Sequence, residues 1–381
     1  MSIHHRDDME RIVFKQWRSL VLCVAAMAAL GLAGCAGPQA SETTPAAPAA
    51  EPPQGPAWQR VHLGSGADGY DFPVYANHPL DGDLKGIREV VFVQHGLQRN
   101  GNDYYVAGAE LLKNSGRNPD EVLLIAPNFP GTPDTGKGFD GMPVWSVDGW
   151  IGGFNATNAP YTGLSSLQVL DDLIAYITDP TRAPNVKRVT VAGHSGGGQI
   201  VQRYAVLNNV DEGIRKRGID LRYVVANPSS YLYFTPERPR GKGFGRYDTS
   251  VCPDYDHYKY GMVDMVPYAA GKSGRMLFNR YAQRRVTYLV GTNDNDPNHR
   301  VLDKACGAEA EGPTRLDRAR NYWRYERHLA GRKRVNHQAH EVVGVGHDQA
   351  RMFGSRCGAQ AVFGMPSSTN ATGAACRAPR L

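Results

Sequence analysis

The chain has 381 residues, 41% of them hydrophobic and 21% charged, so it has enough apolar content for a large core and is not disordered throughout. Its formal charge of +6 is modest for this length and does not call for nucleic acid as a partner. The longest apolar run, Leu20 to Ala33, has 14 residues, short of the roughly 20 that a spanning helix needs. A polytopic membrane protein is thereby excluded.

That run follows Arg6, Arg11, Lys15 and Arg18 at the N-terminus, the basic-then-apolar order of an export signal. It ends in Leu32-Ala33-Gly34-Cys35, which resembles the lipobox of bacterial lipoproteins. The resemblance implies removal of residues 1–34 and lipid attachment at Cys35. A plain cleaved signal peptide with an incidental cysteine is the alternative. Residues 35–57 are rich in Ala, Pro, Ser and Thr and read as an extended tether. Ala36 and Gly37 follow the cysteine with no Asp at the second position, which favours the outer membrane, facing the periplasm or the cell surface.

A domain is expected over 58–365. Its strands are predicted at Trp58–Leu63, Phe72–Tyr75, Val90–Val93, Val122–Ile125, Val189–Ala192, Leu221–Val225 and Val286–Val290, with a weaker one at Glu341–Val343. Most are short continuous apolar runs, as in strands buried on both faces. Helical spacing appears at Asp103–Lys113, Ser165–Thr178 and Gly197–Leu207. Strands alternating with helices predict an α/β fold, with a mostly parallel central sheet flanked by helices. Two intervals, Asn128–Gly163 and Asn227–Gln283, exceed ordinary connections and are expected to form a lid or binding region. The tail, 366–381, is expected to be ordered only if Cys376 ties it down.

The run Val189–Ala192 leads directly into Gly193-His194-Ser195-Gly196-Gly197-Gly198, and helical spacing follows. A serine presented at the tip of so tight a turn leaves no room for side chains two positions before and after it, which explains Gly193 and Gly197. Strand, G-x-S-x-G and helix together resemble the nucleophile turn of the α/β-hydrolase family. The resemblance implies an oxyanion-hole segment after an earlier strand, and Val90–Val93 leads into Gln94-His95-Gly96-Leu97. The backbone amides of Leu97 and Gly196 would then hold a developing oxyanion, with the His95 side chain only supporting the loop.

The family order of serine, acid and histidine implies a carboxylate after Val286–Val290 and an imidazole after the last strand. Asp294 has the expected Gly-x-x-Asp spacing from Gly291, with Asp296 as the rival. His347 follows Val342-Val343-Gly344-Val345-Gly346, whereas His337 and His340 precede or lie within the strand. The catalytic set is therefore Ser195, Asp294 and His347. Asp294, Asp296 and Asn298 also alternate as in a calcium loop, but His299 and Ala305 depart from that pattern, and neither metal nor cofactor is expected.

Trp145 and Trp150 are candidates for substrate contact, or equally for packing beneath their loop. The basic run Arg315–Arg334 falls on a predicted helix and reads as a solvated face, with contact to anionic lipid headgroups as the alternative. Cys252, Cys306, Cys357 and Cys376 remain after the signal, and four cysteines in an exported protein allow three disulfide connectivities. Over about residues 58 to 364 the chain is similar to secreted esterases and polyester-depolymerase-like hydrolases. The expectation is an exported, lipid-anchored serine hydrolase that cleaves a small or polymeric carboxylic ester through an acyl-enzyme on Ser195. A serine peptidase or amidase on the same fold, and a non-catalytic binding lipoprotein, are the rivals.

Overall fold

The computed structural model describes residues 57–364 and 373–380. The expected export signal over 1–34, the lipid-attachment candidate Cys35 and the tether to residue 56 lie outside the described residues, as do 365–372 and 381. The domain opens with β1 (Gln59–Leu63), β2 (Tyr70–Ala76), β3 (Glu89–Gln94), α1 (Gly101–Asn114) and β4 (Val122–Pro127). After a long connection come α2 (Ser166–Ile177), β5 (Arg188–His194), α3 (Gly196–Leu207), α4 (Asp211–Lys216) and β6 (Asp220–Ala226). The second long interval holds the hairpin β7 (Glu237–Arg240) and β8 (Gly243–Arg246), then α5 (Gly274–Tyr281). The remainder is β9 (Arg285–Gly291), α6 (Cys306–Glu309), α7 (Arg315–Ala330), β10 (His337–Val342), α8 (Gln349–Phe353), α9 (Arg356–Phe363) and β11 (Cys376–Arg377).

Nine strands form one sheet in the order β1-β2-β4-β3-β5-β6-β9-β10-β11. From β4 to β10 every neighbouring pair is parallel, while β1, β2 and β11 add antiparallel edges. This is the α/β-hydrolase fold, a mostly parallel mixed sheet flanked by helices. The continuous apolar runs have a simple cause. Val90 and Phe92 pack into one core with α2, α3 and α7, while Val91 and Val93 pack into a second core with α1 and α9. Successive side chains on a strand point to opposite faces, and here both faces are covered. All twelve residues of α3 are buried, which makes it the central helix.

The described part of the tail, 373–380, is tied to the domain by a disulfide between Cys357 and Cys376, and β11 pairs with Glu341 and Val342 of β10. Glu341 is buried and accepts from Arg320 and Arg377, so α7, β10 and the tail meet at one carboxylate. A second disulfide joins Cys252, in the long insertion, to Cys306, beyond Asp294. The expected solvated face over Arg315–Arg334 holds only for Arg327 and His328 near the end of α7 and for the segment after it. Arg315 and Arg318, at its start, are fully buried and hydrogen-bonded to neighbouring loops.

Candidate active site

Parallel strands in register bring their C-terminal ends to one edge, and the connections leaving that edge carry the candidate residues. Ser195 follows β5 directly, Leu97 lies three residues past β3, Asp294 three past β9 and His347 five past β10. Ser195 adopts φ 60° and ψ −121°, a sparsely populated conformation for a residue with a side chain. The surrounding glycines make that bend possible. A Cβ on Gly193 would stand 2.2 Å from the Gly197 carbonyl oxygen, and one on Gly197 would stand 2.2 Å from that of Gln94.

The hydroxyl of Ser195 lies 2.8 Å from His347 Nε2, and His347 Nδ1 lies 2.8 Å from Asp294 Oδ2. Asp294 is buried, and Asp296, its rival, is exposed and accepts from the Asn298 amide. His337 is engaged elsewhere, with Glu326 and the Tyr281 carbonyl, and His340 lies within β10. The oxyanion candidates also converge. A Cβ placed on Gly196 would come within 3.1 Å of the Leu97 amide nitrogen, so the two backbone segments run side by side.

His95 supports that loop as expected. Its Nδ1 donates to the Gly96 carbonyl at 2.8 Å and its Nε2 accepts from the Phe129 amide at 2.9 Å, which fixes one neutral tautomer. Burial pushes its pKa down to about 4, so the imidazole stays uncharged beside the site. Trp145 and Trp150 are a correction to the substrate-contact expectation. Both are fully buried, with Phe129 stacked on Trp150 at 5.6 Å and Trp150 against His95 at 4.4 Å. They hold the loop from below, and neither faces the cleft.

Four further residues surround the imidazole, and three of them, Arg315, His299 and His194, escaped the sequence reading. The Arg315 guanidinium, buried, donates to Asp294 Oδ1 at 3.1 Å, to Ser229 Oγ at 2.9 Å and to the Val301 carbonyl at 2.7 Å. His299 packs its ring edge-on to His347 at 5.0 Å, with Nδ1 3.3 Å from Arg315. His194 lies buried under His347, with ring centroids 4.6 Å apart. Asn227 takes a positive φ of 45° and ties three strand ends together. It accepts from the Gly291 amide and donates to the carbonyl of Gly346, the residue before His347. Asn227 opens a segment, 227–231, that its position directly after a predicted strand brings toward the site; its side chain ties strand ends together.

The electrostatics follow from this packing. Burial lowers the His347 pKa, the hydrogen bond to Asp294 pulls it back up, and Arg315 and His299 push it down again, leaving it below the ordinary value. Burial alone would raise Asp294, but His347 and Arg315 outweigh it and hold the carboxyl below its usual range. The site is thus poised with a neutral imidazole and an ionised carboxylate, the state in which Nε2 can take a proton from the serine. Among the described residues no group of three or more His, Cys, Asp and Glu side chains could hold a metal ion.

A cleft of about 320 Å³ opens over Ser195 and His347. Its walls are largely polar, with Gln98, Asn100, Asp103, His299, Arg300 and Gln349 around the reacting atoms.

A strained serine on a strand-to-helix turn, in line with an imidazole and a carboxylate at one edge of a parallel sheet, defines a class of hydrolytic proteins. Residues 90–358 match the model of the alpha/beta hydrolase family, and the chain belongs to that family. No match is found among curated protein sequences. Among solved structures, the fold is similar to poly(3-hydroxybutyrate) depolymerase from Bordetella parapertussis, with a TM-score of 0.57 and 22% identity over 83% of this chain and 93% of that one. It is also similar to poly(aspartic acid) hydrolase-1 from Sphingomonas sp. KT-1, with a TM-score of 0.56 and 19% identity over 81% of this chain and all of that one.

Proposed function

We propose that this protein is an exported serine esterase that cleaves short, polar carboxylic esters, polymeric ones included, through an acyl-enzyme on Ser195. The observation that carries the reading is the unbroken line from Ser195 Oγ through His347 to Asp294, with 2.8 Å at each step. As Ser195 Oγ attacks the ester carbonyl carbon, its proton passes to His347 Nε2, and Asp294 stabilises the imidazolium that forms. The amides of Leu97 and Gly196 hold the tetrahedral oxyanion. Collapse breaks the bond to the alkoxy group, which leaves as the alcohol with the proton from His347. Water then attacks the acyl-serine by the same route, and the carboxylic acid and the free serine result.

The cleft narrows the substrate. Its polar walls and small volume give little apolar surface for a long acyl chain, and the two nearby tryptophans are covered. Short hydroxyacyl units fit this description, in keeping with the neighbour named as a poly(3-hydroxybutyrate) depolymerase. A second reading, hydrolysis of an amide, is favoured by the neighbour named as a poly(aspartic acid) hydrolase. Nitrophenyl esters of two to twelve acyl carbons, run beside a peptide anilide, separate these. The expected result is turnover highest at two to four carbons, lost in Ser195→Ala, and little anilide cleavage. A maximum at long chains rejects the short-acyl assignment, and faster anilide cleavage rejects the ester assignment.

Export and lipid attachment at Cys35 form part of the proposal. The basic and apolar N-terminal segment supports it, and so do the two disulfides, which suit an oxidising compartment. Palmitate incorporation in the producing cell should be lost in Cys35→Ala, and incorporation unchanged by that substitution rejects the anchor.

A further inference from the structure

The second half of α7 has a feature that the proposed chemistry does not use. Arg327 is exposed near its end, and Arg332, Lys333 and Arg334 are exposed just beyond its Gly331 cap. The β7–β8 hairpin packs beside them and adds the exposed Arg240, Lys242 and Arg246. The two pieces are stitched together by Arg324, whose guanidinium donates to the Lys242 carbonyl at 2.5 Å and lies over the Phe244 ring at 5.6 Å. Phe244 also packs against His328 at 5.1 Å.

Among the described residues, none of these seven exposed cations forms an ion pair with a carboxylate. The nearby carboxylates offset these cations only in part. Glu237 faces His328 at 3.5 Å, and Glu326 is buried against His337 and Tyr288. Asp248, two residues past the hairpin, accepts from Ser250 and feels the field of Arg240, and the half-buried Asp256 feels that of Arg246. Seven exposed cations set against these few partly offset carboxylates leave a local excess of positive charge on this surface.

The position of the surface matters as much as its sign. Arg315, at the first turn of α7, touches Asp294, and the 16 residues of the helix carry the chain about 24 Å from there. The connection then enters β10 at His337, which pairs with Val286 near the start of β9. The basic surface therefore lies toward the end of the sheet where strands begin, and the cleft lies where they end. A polyanionic substrate bound at the catalytic serine would not reach it by a short path. The ring at its centre, Phe244, packs against both Arg324 and His328 and is not free for a nucleic-acid base to stack on.

We propose that this surface, formed by the β7–β8 hairpin and the segment closing α7, docks the protein on anionic phospholipid headgroups with the catalytic cleft turned away from the bilayer. Flexible cations facing a plane of phosphates form many weak, salt-sensitive contacts, each adding a similar increment. The inference does not depend on the ester chemistry, nor on the fate of Cys35.

The test is vesicle flotation of the full chain with Lys242→Glu, Arg332→Glu, Lys333→Glu and Arg334→Glu combined, against the unsubstituted protein. The vesicles are phosphatidylcholine alone and phosphatidylcholine with 30% phosphatidylglycerol. All four residues are exposed, so the variant should fold and turn over a soluble nitrophenyl ester as before. Any contribution of the N-terminal segment is common to both proteins. The account predicts that the variant loses about a hundredfold or more of its apparent affinity for the anionic vesicles. It also predicts that the two proteins bind neutral vesicles alike, and that the difference between them vanishes in 1 M salt. Equal binding of both proteins to anionic vesicles overturns the proposal. So does binding of the unsubstituted protein to a soluble polyanion, polyaspartate or DNA, as tightly as to the anionic vesicles, since the surface would then not be a lipid site. Competition by 10 mM inorganic phosphate should be negligible, and complete displacement by it would assign a free-anion pocket instead.

Discussion

Arg315 reaches the reaction only through its neighbours, yet its cation bears on two groups that the proposed chemistry needs. Proton transfer from Ser195 requires a neutral His347, so the rate falls as pH drops through the His347 pKa. Because that pKa is held below the ordinary histidine value, kcat/KM should keep its plateau below about pH 6.5. Arg315→Met removes one of the downward pushes, so the acid limb should move to higher pH, with the loss greatest near pH 6 and least near pH 9. Arg315→Lys keeps the charge and should leave the limb nearly in place. A uniform loss at every pH in Arg315→Met would mean that the residue only supports the fold. Asp294→Asn should lower kcat by about ten-thousandfold while Asp296→Asn leaves it within a fewfold, as comparison of the purified variants on one ester will show. The serine turn was legible because everything that shapes it is local: a strand, two obligatory glycines and a helix. Arg315 was misread as part of a solvated run because its partners, Val301, Asp294 and Ser229, sit on loops 14, 21 and 86 residues away in the chain. A single sequence carries no signal for such a meeting.

Among the elements, the long insertion depends on a disulfide. Cys252–Cys306 closes a separation of 54 residues and joins the insertion to the segment that runs on from Asp294 past His299 and Arg300. Loop closure of this size is worth up to about 4 kcal/mol when native geometry is unstrained. Cys252→Ser with Cys306→Ser should lower unfolding stability by about 2–4 kcal/mol in urea titration, and should raise KM more than it lowers kcat. An unchanged KM would mean that the cleft wall is held by other contacts. The sequence reading found the strands of the parallel core because burial on both faces leaves an unmistakable apolar run. It missed β7, β8 and β11, and for a physical reason. The first two are four-residue strands, Glu-Arg-Pro-Arg and Gly-Phe-Gly-Arg, without an apolar run, and β11 is two residues that take their place by pairing with β10 and bonding to Cys357. The tryptophans of the long connection were similarly undecidable, since a buried and a substrate-facing indole look alike in a sequence.

At the scale of the molecule, one topological fact organises the rest. Six parallel strands end at the same edge, and five of them bring Leu97, Ser195, Asn227, Asp294 and His347 together although up to 250 residues separate them. The alternation of strand and helix already implied this architecture, and the order of serine, acid and histidine followed from it by resemblance. What the sequence could not convey was polarity along the sheet, with a polar cleft at one end and a basic surface toward the other. The central claim is that Ser195 is a nucleophile activated by a neutral His347. Labelling by a fluorophosphonate, read by intact mass and peptide mapping across pH 4 to 9, tests it most directly. The account predicts a single adduct on Ser195 whose rate of formation declines only below about pH 6.5, with none in Ser195→Ala and a severe loss in His347→Ala. Modification at another residue, or equal labelling of Ser195→Ala, would contradict it.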